Sequence, residues 1–182
     1  MEFDQVRFED VRNTFLNVVA YDHVLFKNCD LKFHNYPAMN IVSEKVKFHS
    51  SQLEKLDSNS LKISGDIVEF KDVLLIEPLK NSFKEMVGST ANSKLIMKNV
   101  TLRDPSKGTF ISRFPNVEMK NLKVEKCDCG ILMFLTCDED DEEYFELTHG
   151  RFIDTLTCME LKVRAIHKLN FNVNNFEFFR RK

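Results

Sequence analysis

The sequence predicts an all-β solenoid, a chain wound into stacked coils, and three observations predict it. First, one short pattern returns seven times in 182 residues: apolar, any, large apolar, any, small polar, any, any, apolar. Second, successive copies begin 22, 22, 27, 22, 28 and 24 residues apart, a spacing typical of coiled repeat architectures. Third, apolar and polar residues alternate inside each copy, the two-residue period of a half-buried strand.

The copies run Val24-x-Phe26-x-Asn28-x-x-Leu31, Val46-x-Phe48-x-Ser50-x-x-Leu53 and Val68-x-Phe70-x-Asp72-x-x-Leu75. They continue as Leu95-x-Met97-x-Asn99-x-x-Leu102, Val117-x-Met119-x-Asn121-x-x-Val124, Phe145-x-Leu147-x-His149-x-x-Phe152 and Leu169-x-Phe171-x-Val173-x-x-Phe176. Val24, Phe26, Val68 and Phe70 face one way, and Lys27, Glu69 and Lys71 face the other. A second apolar cluster follows about 11 to 13 residues after the small polar position: Met39 and Ile41, Leu61 and Ile63, Leu132 and Phe134, with Phe83 and Phe110 as single matches. A third lies just past the polar residue, at Leu31 with Phe33 and at Leu75 with Ile76. Each repeat therefore carries up to three short strands separated by bends.

Three strands in about 22 residues describe one coil of a parallel β-helix, each coil resting on the next at about 4.8 Å. The repeat, including NSLKISGDIVEF from Asn59 to Phe70, resembles that of right-handed parallel β-helix proteins over about residues 17–179. Many such proteins are polysaccharide lyases or glycoside hydrolases, and others have no assigned activity. The resemblance implies a shape of seven to eight coils and assigns no residue a role. The alternative is a leucine-rich repeat. That repeat places its Asn three residues after the second strand Leu, whereas Asn28, Asn99 and Asn121 follow Phe26, Met97 and Met119 by two.

Residues 1–182 read as a single solenoid domain with loop insertions near 80–93 and 136–143, where the two longest intervals fall. Pro78, Pro105 and Pro115 are placed at coil corners, where a missing N–H does least harm. Val6, Phe8 and Val11 read as a degenerate first coil. Phe176, Phe178 and Phe179 read as a last strand, whose basic tail Arg180-Arg181-Lys182 blunts the edge.

Composition narrows the function classes. A net charge of −2 gives no general attraction to nucleic acid. With Phe 17, Tyr 3 and Trp 0, the aromatic residues favour packing over recognition. No apolar run is long enough for a membrane span. Met1-Glu2-Phe3-Asp4 shows no secretory signal, so an extracellular place is expected only for a piece of a longer chain. Cys29, Cys127, Cys129, Cys137 and Cys158 read as reduced, partly buried thiols. The phosphate-cradling, dinucleotide-binding, nucleophile-elbow and zinc-protease motifs are missing.

Five sets of residues carry candidate chemistry. Asn28, Ser50, Asp72, Asn99, Asn121 and His149 form a polar ladder; Asn and Asp tolerate left-handed backbone, and stacked amides bond to one another. The outward stripe Lys27, His49, Lys71, Lys98 and Lys120 has the form of a track for a polyanion, yet Glu69, Glu118 and Glu146 lie two residues earlier on the same face and favour a solvated surface of charge pairs. Lys55, Glu77, Asp104, Lys126 and Asp154 read as a salt-bridge ladder, in which Asp104 and Asp154 are the nearest approach to a glycosidase carboxylate pair. Asp138 to Glu143 offer oxygen ligands for calcium, but no glycine interrupts the run. Cys127, Cys129, Cys137 and His149 fit no standard zinc spacing.

No catalytic, cofactor-binding or metal-binding residue is therefore assigned. The expected function is a non-catalytic interaction or structural module that meets another protein through a sheet face or a loop insertion. A β-helix lyase or hydrolase and a leucine-rich-repeat binding module are the alternatives.

Overall fold

Alternating apolar residues bury one side of each short segment, and the bends between segments decide how the chain closes on itself. The computed structural model describes all residues except 12–15, 34–38, 57–59, 79–81, 89, 91, 107–109, 137–141, 165–167 and 180–182. Among the described residues every regular element is a strand, and no helix is long and apolar enough to cross a membrane.

The first turn holds β1 (Glu2–Asp4), β2 (Arg7–Val11) and β3 (Leu16–Val19). The second holds β4 (His23–Lys27), β5 (Asp30–Phe33) and β6 (Met39–Val42), and the third β7 (Lys45–His49), β8 (Gln52–Glu54) and β9 (Leu61–Gly65). Then come β10 (Ile67–Lys71), β11 (Leu74–Ile76) and β12 (Phe83–Gly88), followed by β13 (Lys94–Lys98), β14 (Thr101–Arg103) and β15 (Phe110–Arg113). The last part comprises β16 (Asn116–Lys120) and three long strands, β17 (Lys123–Thr136), β18 (Glu142–Arg164) and β19 (Lys168–Phe179).

These strands stack in three columns. The first is β1-β4-β7-β10-β13-β16-β18, with β19 pairing β18, and the second is β2-β5-β8-β11-β14-β17. The third is the separate sheet β3-β6-β9-β12-β15. Pairing is parallel throughout, and the repeat offset sets it: Phe26 lies under Phe48, Phe48 under Phe70, and Phe70 under Met97. This is a parallel β-solenoid. Three columns of strands, with no helix among the described residues, exclude the leucine-rich repeat. About five turns have three separate strands, fewer than the seven to eight expected, because the later turns run continuously through the corners as β17, β18 and β19.

The inward rows form one core. Phe26, Phe48, Phe70, Val46, Val68, Leu95, Met119 and Leu147 are among its fully buried members. Phe3, Phe26, Phe48 and Phe70 stack ring on ring at 4.7, 4.9 and 5.1 Å, with planes within 6°. The ring spacing follows the strand spacing, so each ring rests on the same residue one coil away.

Two copies of the repeat are shifted from their expected places. β19 sets Phe171 on Phe145, Val173 on Leu147 and Phe178 on Phe152. The last copy is therefore Phe171-x-Val173-x-Asn175-x-x-Phe178, two residues later than its apolar pattern suggests. Strand alternation has a period of two, so a slip of two preserves every apolar match. At the other end, Phe3 pairs with Phe26 and Phe8 with Leu31. The first coil thus begins at Met1 and turns at Gln5.

Within residues 80–93, expected as a loop, Phe83–Gly88 is strand β12, with Met86 on Ile63 and Gly88 on Gly65. Of the five extra residues of that coil, one falls between Ile76 and Glu85 and four between Gly88 and Lys94, by the shift in register. Asp138 to Asp141, in the second expected insertion, lie outside the described residues, and Glu142 and Glu143 already pair with Lys168 and Leu169 in β18.

Candidate functional site

The bends concentrate the polar chemistry of the chain. Among the described residues thirteen non-glycine residues have positive φ, and all fall in two columns. The first column is Gln5, Asn28, Ser50, Asp72, Asn99, Asn121, His149 and Asn175, with φ between 48° and 59°. The first six sit between a first-column and a second-column strand and turn the chain, and His149 and Asn175 bend it inside the continuous strands β18 and β19. The N–H of each of the six stays paired: Asn28 donates to His49 O at 3.0 Å, Asp72 to Lys98 O at 2.9 Å and Asn121 to Thr148 O at 2.9 Å. The side chains add rungs. Asn28 Nδ2 donates to Asp4 Oδ1 at 3.0 Å, Asn99 Nδ2 to Asp72 Oδ1 at 2.7 Å and Asn121 Nδ2 to Asn99 Oδ1 at 2.8 Å. Asn175 Nδ2 approaches His149 Nε2 at 3.3 Å. The stacked column read from the sequence is present, with Gln5 and Asn175 added at its ends, and side-chain bonds join its members from Asp72 through Asn99 to Asn121 and from His149 to Asn175.

The second column of bends is Lys55, Glu77, Asp104, Lys126 and Asp154, with φ between 48° and 55°. These residues were expected to form a salt-bridge ladder. Their shared property is instead a left-handed backbone, and Pro78 and Pro105 follow directly as stops. Lys126 Nζ meets Asp104 Oδ2 at 3.9 Å across one coil, whereas Lys55 turns to Glu54 in its own strand at 3.8 Å. Asp104 is thus held at a bend beside a lysine.

An open groove of about 380 Å³ runs along the first column of bends at the C-terminal end. Asn99, Asn121, His149 and Asn175 line one side, and Thr101, Lys123, Arg151 and Glu177, two residues further on, line the other. Its charges are already matched. Arg151 Nε meets Glu177 Oε2 at 2.7 Å, and Lys123 Nζ meets Glu125 Oε1 at 2.7 Å. The hydrogen bond from Lys123, helped by Arg103, holds the Glu125 carboxyl below its usual range. The groove offers amides, a hydroxyl and compensated ion pairs, suited to hydrogen bonding.

The outer face of the first column carries the lysine stripe in register: Lys27, His49, Lys71, Lys98 and Lys120 lie strand beside strand. Glu69 meets Lys47 at 4.0 Å and His49 at 3.5 Å, and Glu118 meets Lys94 at 2.9 Å and Lys98 at 3.6 Å. The charge pairs expected from the sequence are there. They leave Lys27, Lys71 and Lys120, all exposed, with no ion pair among the described residues. Further along this face, Tyr144 Oη donates to Glu146 Oε2 at 2.7 Å, which pushes the tyrosine up to about 12.

Cys127 and His149, two of the residues weighed against zinc spacing, face different surroundings. Cys127 is buried and its thiol donates to Pro105 O at 3.0 Å, while His149 stands exposed beside Asn175. Cys137 lies outside the described residues. Among the described residues no group of three or more His, Cys, Asp or Glu is placed to hold a metal ion. Cys29 is also buried and free, its thiol shared between Phe3 O and Lys27 O, both at 3.3 Å.

Sequence reasoning passed over one corner. Val19, Val42, Ser64 and Val87 stack in register at the end of the third column. Val19 is 63% exposed and the neighbouring Tyr21 is 90% exposed. They border a groove of about 410 Å³ that Glu44 and Asp66 also line. The cue was available as a valine at the outer end of three third-column strands.

Fold and surface together define a class, the parallel β-solenoids with a laddered polar corner. Comparison with protein-family models, with curated proteins and with solved structures finds no match to this chain.

Proposed function

We propose that the chain is a non-catalytic interaction module whose partner is another protein, met at the corner of Val19, Tyr21, Val42 and Val87. The observation that carries this reading is the exposure of Tyr21 and Val19 next to a groove on a regular, rigid scaffold. Contiguous apolar surface on a folded protein marks contact sites, and tyrosine is enriched in them. The rim supplies a chemical character. Glu44 and Asp66 line the groove one coil apart, so the fitting partner segment brings apolar anchors flanked by basic residues. The absence of a catalytic role is supported by the use of the candidate residues: Asp72, Asn99 and Asn121 turn the chain and bond along the stack.

The test is affinity capture from the native source with the wild type and with a Tyr21→Ser, Val42→Lys variant, followed by calorimetric titration of each captured protein after purification. A partner that binds the wild type directly and binds the variant at least about tenfold more weakly is expected for an anchor of this kind. Equal binding of both forms would remove the corner from the interface.

A further inference from the structure

We infer that the outer face of the first column docks on an anionic lipid surface. The inference concerns a different face from the protein contact above and does not rest on it. Across β4, β7, β10, β13 and β16 the outward positions hold seven lysines, Lys27, Lys45, Lys47, Lys71, Lys94, Lys98 and Lys120, against Glu69 and Glu118. The chain as a whole is at −2, so the positive charge is segregated onto this face. Ion pairs occupy both glutamates, while Lys27, Lys71 and Lys120 stand exposed along its far edge with no ion pair among the described residues.

The acidic neighbours are accounted for. Asp22 is bound to His23 at 2.7 Å and Lys45 at 4.0 Å. Glu44 and Asp66 lie at the opposite corner, about 16 Å along the strand from the free lysines by strand rise, beyond a Debye length. Asp72 accepts from Asn99 at the adjoining bend. Glu2 and Asp4 lie on β1 at one end of the face, and Glu146, hydrogen-bonded to Tyr144, lies at the other.

Three features favour a bilayer over other polyanions. The five parallel strands span about 19 Å at the usual inter-strand distance and present a broad sheet, matching a broad surface. Every fixed cation on these five strands is lysine and none is arginine, so the face lacks the planar fork that reads a single phosphate or carboxylate and has the point charges that respond to a diffuse field. The outward rings on those strands are two imidazoles, His23 and His49, each held beside a carboxylate, and no Phe, Tyr or Trp faces out to stack a base, as single-stranded nucleic acid requires. Lysine is also depleted in protein–protein interfaces, where its desolvation and ordering are costly.

The experiment is co-sedimentation of the purified chain with vesicles of phosphatidylcholine alone and with about one-third phosphatidylserine. Partitioning to the anionic vesicles is expected to be at least about tenfold stronger and to fall with added salt. Lys27→Gln, Lys71→Gln and Lys120→Gln together should lower it on the order of 100-fold, and Lys71→Gln alone about fivefold. Lys32→Gln, Lys123→Gln and Lys126→Gln change net charge equally on another face and should lower it less than about fivefold. Circular dichroism checks that each variant is folded. Equal binding to both vesicles, equal loss in both triple variants, or capture of single-stranded RNA with vesicles ignored would overturn the proposal.

Discussion

Asn121 Nδ2 donates to Asn99 Oδ1 one coil away at 2.8 Å, while both residues hold a φ of 55°. One side chain thus relieves two demands: it tolerates the left-handed bend, and it ties that bend to the next coil. The two demands separate by mutation. Asn121→Gly keeps the bend and loses the rung, so it should cost about 1 kcal/mol. Asn121→Val loses the rung and strains the backbone, adding about 1–2 kcal/mol more. Urea denaturation of the three proteins checks the order; equal stability of Gly and Val would remove the backbone half of the argument.

The ring stack gives the largest single-residue effects. Phe48 lies between Phe26 and Phe70 at 4.9 and 5.1 Å. Phe48→Ala empties a position that the regular strand spacing cannot close, and about 3–5 kcal/mol should be lost. Phe70→Asp places a charge in the same row and should unfold several coils. Circular dichroism melts of both variants measure this, and a wild-type melt for Phe70→Asp would refute the inward assignment.

Gly65 marks a close approach between coils. A Cβ there would collide with Ser43 O, a backbone atom with no freedom to turn aside. Gly65→Ala should therefore cost about 1–3 kcal/mol as the corner spreads. The same substitution at Gly88 meets the Ser93 side chain at 2.5 Å instead. The ratio of the two denaturation free energies reports which corner is tighter.

These corners also show what the residues reveal in advance. Asn28, Asp72, Asn99 and Asn121 were legible as bends because few residue types accept positive φ, and a column of them repeats the signal. Lys55, Glu77 and Lys126 bend just as sharply, but lysine and glutamate carry no such preference, so only their fixed five-residue offset gave them away, and as a charge ladder. The last copy slipped by two because Leu169, Phe171 and Val173 satisfy an alternating pattern in either register; Asn175 decides it. Phe83 to Gly88 was hidden as a strand by the polar residues around it. The apolar corner at Val19 and Tyr21 needed the stacking of separate coils, which no local pattern contains.

Acid should weaken the fold through two ion-paired glutamates, Glu118 on the lysine face and Glu125 on the second column. The hydrogen bond from Lys94 holds the Glu118 carboxyl below its ordinary 4.5, and the hydrogen bond from Lys123 does the same for Glu125. A carboxyl depressed in the folded state contributes stability that is present above 4.5 and lost as pH falls through its folded value. The melting temperature should thus decline as pH drops below about 4.5. Glu118→Gln with Glu125→Gln should lower stability at neutral pH and flatten that decline. Tyr144, raised to about 12, works in the other direction, with stability lost as pH climbs from 10 towards that value. Tyr144→Phe should remove the alkaline loss, as thermal melts across pH will show.

The stacking of coil on coil is tested most directly by a nuclear Overhauser spectrum of the chain labelled at its methionine methyl groups. Met97 sits in register between Phe70 and Met119, twenty-seven residues from one and twenty-two from the other. Its methyl group should give cross-peaks to the Phe70 ring and to the Met119 methyl group. Cross-peaks confined to residues near Met97 in sequence, or joining it to other rows, would contradict the solenoid.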